Sequence, residues 1–103
     1  MDKITALAVA TEYAIEVCKI LNPFAIILYG SHARGTATLD SDIDIAVIFD
    51  GCSGNWSKDS ALLWKLARRV NANIEPVLLD RTKDPGGFVE VIFSTGELLY
   101  SSV

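Results

Sequence analysis

The chain has 103 residues, half of them apolar, and a formal net charge of −4. That length permits one small domain over residues 1–103, with a single core and no room for a second substrate-binding domain. The acid excess argues against a surface that tracks long DNA or RNA, which requires a basic face.

The apolar runs are too short to span a membrane and no leader pattern opens the chain, so a cytoplasmic protein is expected. Cys18 and Cys52 are the only cysteines. Neither has zinc-ligand spacing with a neighbour, and both are expected to be free thiols, with Cys18 on a buried helix face.

In chain order, residues 2 to 21 predict a helix, because Ile4, Leu7, Ala8, Ala14, Ile15, Cys18 and Leu21 recur at three- and four-residue spacing until Asn22-Pro23. A second apolar set, Ala6, Ala10, Tyr13, Val17 and Ile20, makes more than one face apolar. Deep packing is the favoured account, and a partner surface is the other. Phe24 to Tyr29 is a continuous apolar run, as expected of a strand covered on both faces. Ser31 to Ala37 predicts a short helix or turn with Ser31 at or near its N-cap.

The stretch from Asp42 to Ile48 predicts a second strand, and Asp50 to Asn55 a loop. Ser57 is the expected cap of a helix to about Asn71, with Leu62, Leu63, Leu66, Ala67 and Val70 facing inward. Trp64 and Trp56 fit either the core margin or an exposed patch. Residues 74 to 80 predict a third strand, whose Pro76 suits an edge or a strand start. Asp84-Pro85 predicts the N-cap and first turn of a late helix ending near Thr95-Gly96, and Leu98 to Ser101 predicts a last strand. The order α-β-α-β-α-β-α, with a closing β, implies an α/β (α+β) domain: a small mixed β-sheet with flanking helices.

The chemistry concentrates between the first two strands. Gly30 lets the chain turn sharply and lets a ligand approach the backbone, and the Ser31 hydroxyl with the following amides can hold phosphate oxygens. Asp42 and Asp44 project from one face of their strand and can share a cation, while Ile43 and Ile45 point into the core. Ten residues separate Ser31 from Asp42. That is short for a parallel crossover, so an antiparallel pairing is expected, which brings Ser31 beside the two aspartates. The helix before the third strand is long enough for a crossover. That strand can then run parallel to the second and bring Glu75 to the acid pair.

Gly30-Ser31, ten residues, then Asp42-x-Asp44 resembles the signature of the DNA polymerase beta-like nucleotidyltransferases. Ala33-Arg34-Gly35 and Asp40-Ser41-Asp42-Ile43-Asp44 resemble its minimal nucleotidyltransferase (MNT) branch. The resemblance implies the nucleotidyltransferase fold and a third acid from a later strand, for which Glu75 is the best positional match. A solvated charge at a strand end is the alternative for Glu75. It further implies AMP transfer from ATP and pairing, as antitoxin, with a small helical HEPN-type toxin.

Two unit charges ~4 Å apart cost about 4 kcal/mol at an effective dielectric near 20, so converging carboxylates imply a cation. Oxygen ligands suit Mg²⁺ or Mn²⁺. The expected site therefore has Asp42, Asp44 and Glu75 as metal-holding catalytic acids, with Gly30, Ser31 and Arg34 binding the nucleotide. Arg34 could neutralise phosphate charge or tie down the aspartate-rich loop through Asp40. His32, the only histidine, could contact a ligand, but an exposed helix-start residue without chemistry is the favoured account. The competing classes are a non-catalytic binding protein that blocks a partner sterically and, less well supported, a divalent-metal sensor. Apolar surface could equally serve self-association.

Overall fold

The computed structural model describes residues 1–51 and 55–103, and Cys52 lies outside the described residues. Four helices and four strands alternate: α1 (Lys3–Cys18), β1 (Ala25–Tyr29), α2 (Ser31–Arg34), β2 (Ile43–Phe49), α3 (Trp56–Val70), β3 (Ile74–Asp80), α4 (Phe88–Thr95) and β4 (Glu97–Ser101). The strands form one mixed sheet in the order β3-β2-β1-β4. β1 runs antiparallel to β2 and to β4, and β3 runs parallel to β2 across the α3 crossover, both as the loop lengths require.

One face of the sheet carries α1 and α3. Ala10, Tyr13, Ala14 and Val17 of α1 pack with Leu63, Leu66 and Ala67 of α3 over Ile26, Leu28, Ile43, Ile45, Val47, Ile74 and Leu78. The Tyr13 hydroxyl donates to the Leu63 carbonyl at 2.8 Å within this core, which ties the two helices together. The other face carries α4, with Val89 and Ile92 over Ile27, Ala46 and Ile48. The central strands are thus covered on both sides, which explains their unbroken apolar runs.

β3 is an edge strand, the position that tolerates Pro76. The Ile43 amide donates to the Asn73 carbonyl. Since bonding direction alternates along a strand, residues 73, 75 and 77 face β2 and Pro76 faces outward.

Several boundaries differ from expectation. α1 buries its second apolar set, Ala6, Ala10, Tyr13 and Val17, together with Ala14, while Ile4 and Ile15 are 80% and 55% exposed. The helix is therefore packed along one stripe and apolar on an open flank, and Cys18 is only half-buried. α3 begins with Trp56 after Asn55, so Ser57 lies inside the helix. Trp56 and Trp64 both stay substantially exposed. α4 begins after Gly87, whose φ is 72°. Asp84 nonetheless caps it from outside the first turn, its Oδ2 accepting from the Val89 amide at 3.1 Å and the Glu90 amide at 3.4 Å. Proline at 85 sits in the intervening turn rather than in the helix. Among the described residues no helix is long and apolar enough to cross a membrane.

Candidate active site

Strand register assembles the site. Tyr29 at the end of β1 lies opposite Asp44 of β2, and Asp44 lies opposite Glu75 of β3. Because side chains directly opposite one another share a face, Tyr29, Asp44 and Glu75 form one row across three strands. That row lies on the α4 side, in line with Ala46 and Ile48. Ile43 and Ile45 point the other way and are fully buried. Asp42 stands one residue before the β2 ladder and is exposed.

Gly30 follows Tyr29 with φ 76° and ψ −151°, a backbone conformation essentially restricted to glycine. A Cβ at this position would run into the Asp44 carboxylate, standing only 3.2 Å from Cγ after overlapping Oδ2. The glycine is thus required twice, by its dihedral angles and by the closeness of Asp44. The turn and the acid are in contact, as the strand pairing anticipates.

Ser31 opens α2, a single turn closed by Gly35 with φ 76°. The Arg34 amide donates to the Gly30 carbonyl at 3.1 Å. The first amides of such a turn have no acceptor within it and are available to a ligand. Gly30, rather than Ser31, is the N-cap, so the Ser31 hydroxyl is not used to cap the turn.

The electrostatics match the geometry. The Asp44 carboxyl is raised above its ordinary value, first by burial and then by the negative charge of Asp42, with His32 and Arg34 pulling it back down. Glu75 is raised first by the charge of Asp42 and hydrogen bonding to it, then by burial and by Asp44. The charge of Asp42 is thus felt at both Asp44 and Glu75, and that of Asp44 at Glu75, as expected of neighbouring carboxylates. The Tyr29 phenol is raised by burial and by the charges of Asp44 and Glu75. Among the described residues no group of three or more acidic, histidine or cysteine side chains is placed to hold a metal ion by itself. Magnesium commonly uses one or two carboxylates and fills its remaining positions with water and substrate phosphates, so the all-oxygen set of Asp42, Asp44 and Glu75 fits such an ion.

Two residues stand differently from the sequence reading. His32 is buried, 1% exposed, and among the described residues neither ring nitrogen has a hydrogen-bond partner. Its place on the inner side of α2, against the α1 amino end, was not visible in a turn only four residues long. Among the described residues Arg34 forms no ion pair with Asp40, while its charge is felt at Asp44. Tyr29, which the register sets opposite Asp44, was not singled out in the sequence. The antiparallel register that brought Gly30 to Asp44 was the signal that could have found it.

A family model described as "Polymerase beta, Nucleotidyltransferase" matches residues 12–103. The chain belongs to this nucleotidyltransferase family. The nucleotidyltransferase fold is shared with solved structures. A Sulfolobus solfataricus protein provisionally described as a nucleotidyltransferase aligns with TM-score 0.71 and 26% identity, over 97% of this chain and 84% of that one. A toxin–antitoxin structure with AMP-PNP aligns with TM-score 0.65 and 25% identity, over 89% and 73%. A mutant of the MntA–HpeT toxin–antitoxin pair shows the same fold at TM-score 0.63 and 23% identity, over 89% and 73%. Comparison with curated proteins finds no match.

Proposed function

We propose that this nucleotidyltransferase transfers AMP from ATP to a hydroxyl acceptor, and that it acts as the antitoxin of a small helical HEPN-type toxin. The observation that carries the catalytic part is the register row that sets Asp44 against Glu75, with the Gly30 backbone touching Asp44.

In this reading Asp42, Asp44 and Glu75 hold Mg²⁺ or Mn²⁺, which when bound offsets phosphate charge and favours ionisation of the acceptor hydroxyl. The amides following Gly30 and the Ser31 hydroxyl orient the outer phosphates, and Arg34 neutralises part of their charge. Asp44, half-buried, fixes where the α-phosphate lies. The bond formed joins the acceptor oxygen to the α-phosphorus, the bond broken releases pyrophosphate, and the hydroxyl proton passes to solvent or a site carboxylate.

Support for the biological setting comes from the toxin–antitoxin structures of similar fold, one of them with AMP-PNP. The binding-only reading has an observation of its own. The open flank of α1, with Ile4 and Ile15 exposed and Ile20 exposed in the turn that follows, adjoins a groove of about 260 Å³ bordered by Ala14, Ile15, Cys18, Leu99 and Tyr100. That groove suits a helical partner whether or not transfer occurs.

Incubation with α-labelled ATP, Mg²⁺ and the product of the adjacent reading frame tests both. Label on the partner that disappears in the Asp42→Asn, Asp44→Asn double variant supports the transferase. Neutralisation of the toxin that is undiminished in that variant, with no label on the partner from the unaltered protein, assigns the function to binding alone.

A further inference from the structure

On the α4 side of the sheet a cavity of about 420 Å³ is lined by the apolar Trp56, Leu79, Phe88 and Val89 and by the polar Asp80, Lys83 and Asp84. Phe88 belongs to this cavity and also packs edge-on against Tyr29, ring centroids 5.9 Å apart at 88°. Tyr29 is the residue before Gly30 and the first member of the row that continues through Asp44 and Glu75. One aromatic contact therefore joins the acid row to an aromatic hollow. The cavity also shares the row's face of the sheet, since Glu75 and Leu79 lie an even number of residues apart on β3.

Resting on the nucleotidyltransferase reading above, we propose that this cavity is the nucleobase subsite, with Phe88 and Trp56 as its stacking surfaces. Outer phosphates on the Gly30–Ser31 turn and an α-phosphate at the acid row leave the nucleoside to continue along the sheet. Glu75 and Leu79 are roughly 13 Å apart along the strand, so the base falls in the near half of the hollow, against Phe88. Phe88 and Trp56 are each 46% exposed. They present ring surface that a packed core would have covered and that a purine covers by stacking. Every base has a π-face, so this surface supplies affinity for nucleosides as a class, and the polar lining of Asp80, Lys83 and Asp84 is where a choice among bases is made.

The test compares two ligands by calorimetry, Mg–ATP and Mg–tripolyphosphate, which shares the phosphate chain and lacks the nucleoside. Phe88→Ala is expected to weaken Mg–ATP by about 5- to 150-fold, the usual range for one stacked base. Mg–tripolyphosphate affinity should stay unchanged, and Phe88→Tyr should restore ATP binding. In a Trp64→Phe background, ATP should quench the fluorescence of Trp56 and tripolyphosphate should not. Equal losses for both ligands would assign Phe88 a structural role and overturn the proposal. Unchanged ATP affinity with a raised KM for the acceptor would give the cavity to the acceptor and overturn it as well. If the unaltered protein binds neither ligand, the nucleotidyltransferase reading itself fails and takes this one with it. Binding of both with no effect of Phe88→Ala leaves that reading standing and removes only the base subsite.

Discussion

Gly30 and Gly35 flank α2 with the same φ of 76° but different surroundings, which makes them a matched pair. A Cβ on Gly35 would meet nothing within 4 Å, whereas one on Gly30 would collide with the Asp44 carboxylate. Gly35→Ala should therefore cost only the left-handed backbone penalty of about 1–2 kcal/mol, reduced by roughly 0.4–1 kcal/mol from the stiffer unfolded chain. Gly30→Ala adds displacement of Asp44 to a more restrictive backbone region, itself worth about 1–3 kcal/mol. At about 4–8 °C per kcal/mol for a domain of this size, Gly35→Ala should lower Tm by less than about 13 °C and keep nucleotidyl transfer. Gly30→Ala should lower Tm further and abolish transfer even at temperatures where it is fully folded. Thermal unfolding and label transfer, measured side by side, decide the matter. Equal losses of stability and activity in the two variants would refute the claim that the close approach to Asp44 is what position 30 must preserve.

A carboxyl group raised by folding binds its proton more tightly in the folded chain. Its contribution is present at acid pH and is lost as pH rises from the ordinary value of 3.8 for Asp44 through its folded value. Without divalent cation, Asp44→Asn should accordingly raise Tm at neutral pH relative to the unaltered protein and flatten the pH dependence. A lower Tm for the variant there would contradict the crowding of acids described above. Added Mg²⁺ at a hundred times its Kd should stabilise the unaltered protein by about 2.7 kcal/mol, read as a Tm increase that the Asp42→Asn, Asp44→Asn variant lacks. Arg34→Ala should weaken Mg–ATP by about tenfold or more, the usual worth of a charged hydrogen bond, with little change in Tm because Arg34 is exposed. Tyr13→Phe removes the hydroxyl's hydrogen bond to the Leu63 carbonyl, which keeps its place in the α3 ladder, and should cost about 0.5–1.5 kcal/mol in urea unfolding.

Much of this architecture was legible because the loops are short. Ten residues between Ser31 and Asp42 dictated an antiparallel pair, and α3 dictated a parallel one, so Glu75 came out opposite Asp44 as periodicity and connection length required. The packing of α1 was less legible: two apolar sets compete around one helix, and only the positions of α3 and the sheet decide that Ala6, Ala10, Tyr13, Ala14 and Val17 go inside. His32 was misplaced for a related reason. A single turn has no periodicity to reveal its inner side, and a polar ring gives no hint that α1 will close over it. The start of α4 moved because Asp84 can reach amides several residues ahead, while Gly87 takes the left-handed conformation at the actual boundary.

The outward-facing backbone of Pro76 has one more consequence. Strand addition to the free side of β3 would require an amide donor at the middle of that edge, and proline has none. A foreign strand thus finds no continuous ladder beside Glu75, and intermolecular sheet growth is diverted to β4 at the opposite margin. The margin that carries the acids is left as a solvent-facing rim, reachable by substrates yet resistant to fibril-like stacking.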